Sequence, residues 1–238
     1  MNQKELSSDH FYLQWILGHS LLNIITALIV VWMNDHRPLL LFNIVSFGFY
    51  LSYIRRFLIG YPLLIGYANW ITIIRLLLLF ILGFSINKIS NISAFIGFGL
   101  VIIIDGLDGF VARKFNQQSE YGGRLDMECD ALLVLYLSLV HINRGSIPFW
   151  ILLPGGMRFL FGVLTYFVRS PREFTSHMFR ASIAVFFFIS LLLVFILPDY
   201  WSTLIVSISG SFIMLSFGLS IYAIIYNQIK KRFFHNPK

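Results

Sequence analysis

Eight apolar runs, at about 11–33, 39–54, 70–87, 92–112, 126–142, 147–168, 180–197 and 200–226, take up most of this 238-residue chain. Only short polar breaks separate them. Several of the breaks carry turn chemistry: Asp35-His36-Arg37-Pro38, Gly145-Ser146-Ile147-Pro148, Ser170-Pro171-Arg172 and Pro198-Asp199. A run of about 20 apolar residues matches the thickness of a bilayer core. Inside hydrocarbon a segment must satisfy its own backbone polar groups, and a helix does so without help from neighbours. With 58% hydrophobic and 12% charged residues, a water-soluble globule could not hide this much apolar surface. The pattern therefore predicts an all-α, polytopic transmembrane helical bundle of about eight spans, with no separate soluble domain. The first run is too long for a signal-peptide core and has no small-residue cleavage site after it, so it reads as a retained helix. The lone cysteine, Cys129, excludes an internal disulfide and a thiolate metal cage.

The formal charge of +7 is spread over the ends of the runs and is not gathered on a polar face with aromatics. That distribution argues against nucleic-acid binding and for loops facing anionic lipid. With the N-terminus in the cytoplasm and alternating spans, the inner segments hold Lys4, Arg55, Arg56, Arg113, Lys114, Arg124, Arg169, Arg172, Arg180, Lys230, Lys231, Arg232 and Lys238. The outer loops hold only Arg37, Lys88 and Arg144. This bias puts the stretch from Asp105 to Asp130 on the cytoplasmic face. It predicts an integral, multi-pass protein, in the inner membrane if the source is bacterial.

That stretch concentrates four carboxylates, Asp105, Asp108, Asp126 and Asp130, in a chain that otherwise avoids charge. Spacings of three and four place each pair on one face of a helix. Two such helices facing each other would bring four anions together, which requires cations. Oxygen ligands without His or Cys partners suit a hard ion: Mg²⁺, or else Mn²⁺ or Ca²⁺. Two ions sharing the acids would fit phosphoryl transfer. Gly109 and Ala112 leave the next helix turn open to a bulky group. Arg113 is a fixed cation suited to phosphate. Tyr121, Gly122 and Gly123 read as the turn into the second helix, with Gly122 letting it start close to the first. Taken singly, each residue has a bland explanation: an Asp as a cap, a Gly as packing, an Arg as topology. Their joint spacing favours a site.

These residues carry a resemblance. The pattern D-x2-D-G-x2-A-R-x8-G-x3-D-x3-D, filled by Asp105, Asp108, Gly109, Ala112, Arg113, Gly122, Asp126 and Asp130, is similar to the signature of the CDP-alcohol phosphotransferases. Asn69-x2-Thr72-x2-Arg75 resembles an N-x2-T-x2-R element found ahead of that signature in relatives. The resemblance implies a six-helix catalytic domain over residues 57–238, preceded by a two-helix extension over residues 1–56. It implies phospholipid synthesis: transfer of a phosphatidyl group from CDP-diacylglycerol to a small alcohol, with release of CMP. Asp105, Asp108 and Asp126 are then ligands of two Mg²⁺ or Mn²⁺ ions, and Asp130 is the general base while also touching metal. Asn69, Thr72, Arg75, Gly109, Ala112, Arg113 and Gly122 bind substrate. A homodimer is the implied form.

Outside the motif, Arg158 sits in the apolar run 147–168, a costly position unless it is paired or solvated. It is the leading candidate for an acceptor-binding residue. Arg169, Arg172 and Arg180 serve topology or anion binding equally well. His19 and Asn23 read as interhelical hydrogen-bond partners. Glu120 and Glu128, on other faces than the four acids, read as solvated or supporting residues. Leu125-Asp126-Met127-Glu128-Cys129-Asp130 departs from the L-D-P-L-A-D form associated with phosphatidylglycerophosphate synthases, so the acceptor stays open, glycerol 3-phosphate included. The competing readings are a divalent-cation transporter built on the four acids and a non-catalytic relative.

Overall fold

Each apolar run becomes one helix. The computed structural model describes residues 3–57, 67–114, 120–168 and 177–234. These segments hold α1 (Gln3–Met33), α2 (Arg37–Phe57), α3 (Tyr67–Ser85), α4 (Asn91–Lys114), α5 (Glu120–Asn143), α6 (Leu152–Val168), α7 (His177–Leu193) and α8 (Asp199–Phe234). A 3-10 turn, Phe149–Ile151, leads into α6. There is no strand among the described residues. The helices differ from the runs mainly at their ends. α5 starts six residues before the run at 126, and α8 continues past 226 into the basic tail. Three helices contain segments long and apolar enough to cross a membrane alone: His10–Met33, Arg37–Ile54 and Asp199–Tyr222. Four shorter apolar segments come from α3, α4, α7 and the stretch Phe149–Leu164. The protein is an integral membrane protein with a helical bundle.

α5 lies at the centre, packed against α1, α3, α6 and α7. From Ala131 to His141 every residue except Val134 is buried. A helix apolar all round is what such a position demands. α3 and α4 are two-sided instead. On α4, Ala94, Phe98 and Val101 point inward, while Ile92, Ile96, Leu100 and Ile103 form an exposed apolar stripe. On α3, Thr72, Leu76, Leu79 and Phe80 are buried, and Trp70, Ile74, Leu77, Ile81 and Phe84 are exposed. Apolar outward stripes suit contact with lipid tails.

The first two helices form a hairpin. Asn34 takes a left-handed backbone, φ 51°, and the Asp35 carboxylate accepts the Arg37 N–H at 3.0 Å, an N-cap that starts α2. His19 Nδ1 pairs with Ser46 Oγ at 2.8 Å, and Asn43 Nδ2 donates to Asn23 Oδ1 at 2.7 Å. His19 and Asn23 thus have the interhelical role expected of them. The hairpin is not peripheral. α1 packs on α5 and α6, and one continuous core joins Trp15, Val30 and Leu39 to Leu132 and Phe187. α6 comes backbone-close to its neighbours through missing side chains. A Cβ at Gly155 would lie 2.5 Å from Ser138 Oγ on α5, and one at Gly162 would collide with Ser20 Oγ on α1. On α3, the Gly83 carbonyl accepts the Tyr136 hydroxyl at 2.9 Å. At the far end of α5, Arg144 donates to Asn91 Oδ1 at 3.1 Å and the Ile86 carbonyl at 3.2 Å.

Candidate active site

The buried stripe of α4, Ala94-Phe98-Val101, reaches Asp105 at its next step. The buried stripe of α3 includes Arg75. The first turns of α5 supply Asp126 and, one turn later, Asp130. Helical periodicity alone therefore turns these four side chains toward one another. Arg75 pairs with Asp105, with Asp126 Oδ1 at 2.7 Å and with Asp130 Oδ1 at 3.2 Å. It also donates to the Asp126 carbonyl at 3.3 Å. One oxygen from each of the three acids lies within 4.8 Å of the others. The guanidinium is enclosed, 2% exposed, whereas each acid keeps about a third of its side chain open. A cation thus fills the space among three carboxylates that are reachable from one side. The donor set, oxygen throughout, fits a hard divalent ion, and the position of the guanidinium shows that positive charge belongs between these oxygens. Arg75, expected as a substrate ligand, is turned into the acid cluster.

Thr72 lies one turn before Arg75 on the same buried face. Asn69 is in the first turn of α3, and Asp108, Gly109, Ala112 and Arg113 continue α4 beyond Asp105. The side chains at these five positions lie outside the described residues. Gly122 and Gly123, read from sequence as a turn, belong instead to the first turn of α5, which already starts at Glu120. Near a helix start a glycine interrupts little, because the first N–H groups have no intrahelical partner in any case.

Two positions from each of Asp126 and Asp130, Glu128 points the other way, toward α6. It is buried with no exposed surface, which selects the supporting role over the solvated one. Its Oε1 accepts a hydrogen bond from Arg158 Nη2 at 2.7 Å. The phenol of Tyr12 on α1 faces Glu128, and the Arg124 guanidinium lies 4.3 Å from the centre of the Tyr12 ring. Sequence reasoning underrated Glu128. The deciding signal was Arg158 itself: a lone cation in an apolar run requires an acid, and the preceding helix carries Glu128 off the face of the four Asp residues. Asp130 and Arg158 meet at a partly open cavity of about 280 Å³ between α5, α6, α7 and α8. The two charged groups on its wall come from the acid cluster and from the Arg158–Glu128 pair, so the cavity connects the two.

Residues 66–222, from α3 to the later part of α8, match a protein-family model described as CDP-alcohol phosphatidyltransferase. The α1–α2 hairpin precedes the matched region. Among curated proteins, the chain is 33% identical over 84 residues to a CDP-diacylglycerol–inositol 3-phosphatidyltransferase from Candida albicans, covering 34% of this chain and 34% of that protein. It is 30% identical over 89 residues to a CDP-diacylglycerol–glycerol-3-phosphate 3-phosphatidyltransferase from Sodalis glossinidius, covering 36% of this chain and 48% of that protein. These matches span about a third and about half of the relatives' lengths. No solved structure matches.

Proposed function

The chain belongs to the CDP-alcohol phosphatidyltransferase family, and from that premise we propose that it transfers a phosphatidyl group from CDP-diacylglycerol to an alcohol and releases CMP. The observation that carries this reading is the convergence of Asp105, Asp126 and Asp130 from α4 and α5 around one enclosed cation. The family uses divalent metal ions, and this cluster has the donors such an ion needs. Asp105, Asp108, Asp126 and Asp130 would hold Mg²⁺ or Mn²⁺, two ions in the full site. Bound there, metal supplies charge neutralisation for the donor's diphosphate.

The chain's own groups do the rest. Asp130, on the cavity wall, accepts the proton of the acceptor hydroxyl. The hydroxyl oxygen bonds to the phosphorus that carries diacylglycerol, and the bond from that phosphorus to the CMP oxygen breaks. Arg113 holds donor phosphate. Gly109, Ala112 and Gly122 leave room for the nucleotide, and Asn69 and Thr72 line its approach. Arg75 fixes the three acids relative to α3. Arg158 borders the acceptor. The site faces the cytoplasm, where the basic residues concentrate, in a two-helix extension plus six-helix core that works as a homodimer.

The test is CMP release by the purified protein from CDP-diacylglycerol with Mg²⁺ and a panel of alcohols. Metal-dependent CMP release matched by lipid product is the expected result. No CMP with any alcohol, in Mg²⁺ or Mn²⁺, overturns the proposal.

A further inference from the structure

The cavity beside Asp130 has a volume of about 280 Å³, near the small end for ligand sites. Its walls are mostly apolar, with four rings, Phe161, Phe187, Phe188 and Phe217, among its lining. Phe161 and Phe217 pack edge to face with centroids 5.6 Å apart. Ser220, also on the wall, donates its hydroxyl back to the Ser216 carbonyl of its own helix at 3.1 Å. Charge enters this wall at two places among the described residues, Asp130 and Arg158.

A phosphorylated acceptor would need Arg158 as net positive charge. That charge is already cancelled. Glu128 holds Arg158 Nη2 at 2.7 Å and has no exposed surface. Separating a buried pair of this kind leaves an uncompensated charge, so the pair stays together. The two sum to zero, and the Asp130 carboxylate beside them is engaged by Arg75 at 3.2 Å. A phosphate in this cavity would meet a mostly apolar wall whose one described cation is already paired with an acid.

We propose that the cavity takes an uncharged alcohol with an apolar body, of the aliphatic or lipid alcohol class, and that Glu128 sets this preference by cancelling Arg158. This rests on the phosphatidyl-transfer reading above. The balance of the step is the same: the lipid alcohol's oxygen bonds to the diacylglycerol-bearing phosphorus, CMP leaves with the bridging oxygen, and the proton goes to Asp130. The product is a phosphodiester joining two apolar groups. Glu128 touches no reacting atom. It is a specificity-determining residue that acts through Arg158.

The test gives the purified full chain CDP-diacylglycerol and Mg²⁺ with a monoacylglycerol, glycerol 3-phosphate or choline, and compares kcat/KM from CMP release. The monoacylglycerol should lead by about tenfold or more. CMP release with the panel but a lead for glycerol 3-phosphate or choline overturns this proposal and leaves phosphatidyl transfer standing. Absence of CMP with every alcohol overturns phosphatidyl transfer itself, and this proposal with it. Glu128→Gln should unmask Arg158 and move the ratio of glycerol 3-phosphate to monoacylglycerol upward by about tenfold. The double variant Glu128→Gln/Arg158→Gln, neutral again, should return that ratio to the wild-type value. An unmoved ratio in a folded Glu128→Gln protein removes Glu128 from the role. If that variant does not fold, the wild-type ranking and the double variant still decide.

Discussion

Arg75 and Arg158 both meet carboxylates on the first turns of α5, on different sides of that helix, and they differ in balance. Arg75 faces three acids, each about a third open. Arg158 faces one, fully enclosed. The first group holds more negative charge than its arginine neutralises among the described side chains, so it has capacity for further cations. The second, among the described side chains, sets one acid against one arginine and offers no such surplus of negative charge. The same chemical pair therefore serves as a reactive centre where acids outnumber the cation and remain reachable, and as fixed wall where they do not. The contrast also separates the two helix faces: Asp126 and Asp130 turn toward α3 and α4, while Glu128 turns toward α6.

Substitutions can break this contrast. The largest effect belongs to the open cluster: Asp130→Asn should lower CMP release by about a thousandfold while donor binding, measured by CDP-diacylglycerol protection against unfolding, largely persists. Near-normal CMP release would end its assignment as base. At the closed pair the large effect is on folding. Arg158→Met should destabilise the protein by about 3 kcal/mol by stranding Glu128, whereas Arg158→Met/Glu128→Leu should recover most of that loss in denaturant unfolding. Equal losses in single and double variants would show that the pair is not the closed unit described. Arg75→Gln should cost less, about 2 kcal/mol, because its acids can turn to solvent, and millimolar Mg²⁺ should restore stability more in this variant than in the wild type. An identical Mg²⁺ effect in both would mean that arginine and metal do not share the acids. The smallest effect lies away from both: Tyr136→Phe removes the hydrogen bond to Gly83 and should cost about 1 kcal/mol, with CMP release unchanged.

Much of this was legible because bilayer solvent makes the code simple. Runs became helices, and the four-residue spacing that puts Asp126 and Asp130 on one face of α5 is a consequence of helical pitch. The stripe from Ala94 through Phe98 and Val101 could even have pointed to Asp105 as inward. Partner choice was harder. Nothing in the local pattern of α3 says that Arg75 turns into the cluster and not toward a ligand, because that depends on how close α3 sits to α5. Glu128 was left open between solvent and a supporting role for the same reason: only the placement of α6 supplies Arg158. The helix start at Glu120 was hidden by two glycines that mimic a turn. The place of α1, wedged against α6 by Ser20 and Gly162, depends on residues far apart in sequence, which periodicity does not register.

That wedge has a consequence in time. α1 is synthesised before the helices it packs on, and its polar groups at His19 and Asn23 find Ser46 and Asn43 as soon as α2 follows. Its other surface, Ile16 and Ser20, has no counterpart until Gly162 is made, most of the chain later. We therefore expect the hairpin to insert as a finished unit and to dock last, expelling water from around Tyr12 and Glu128 as it arrives. In chains arrested on the ribosome before α6, crosslinks between α1 and α2 should already form efficiently, and crosslinks between α1 and α5 should not.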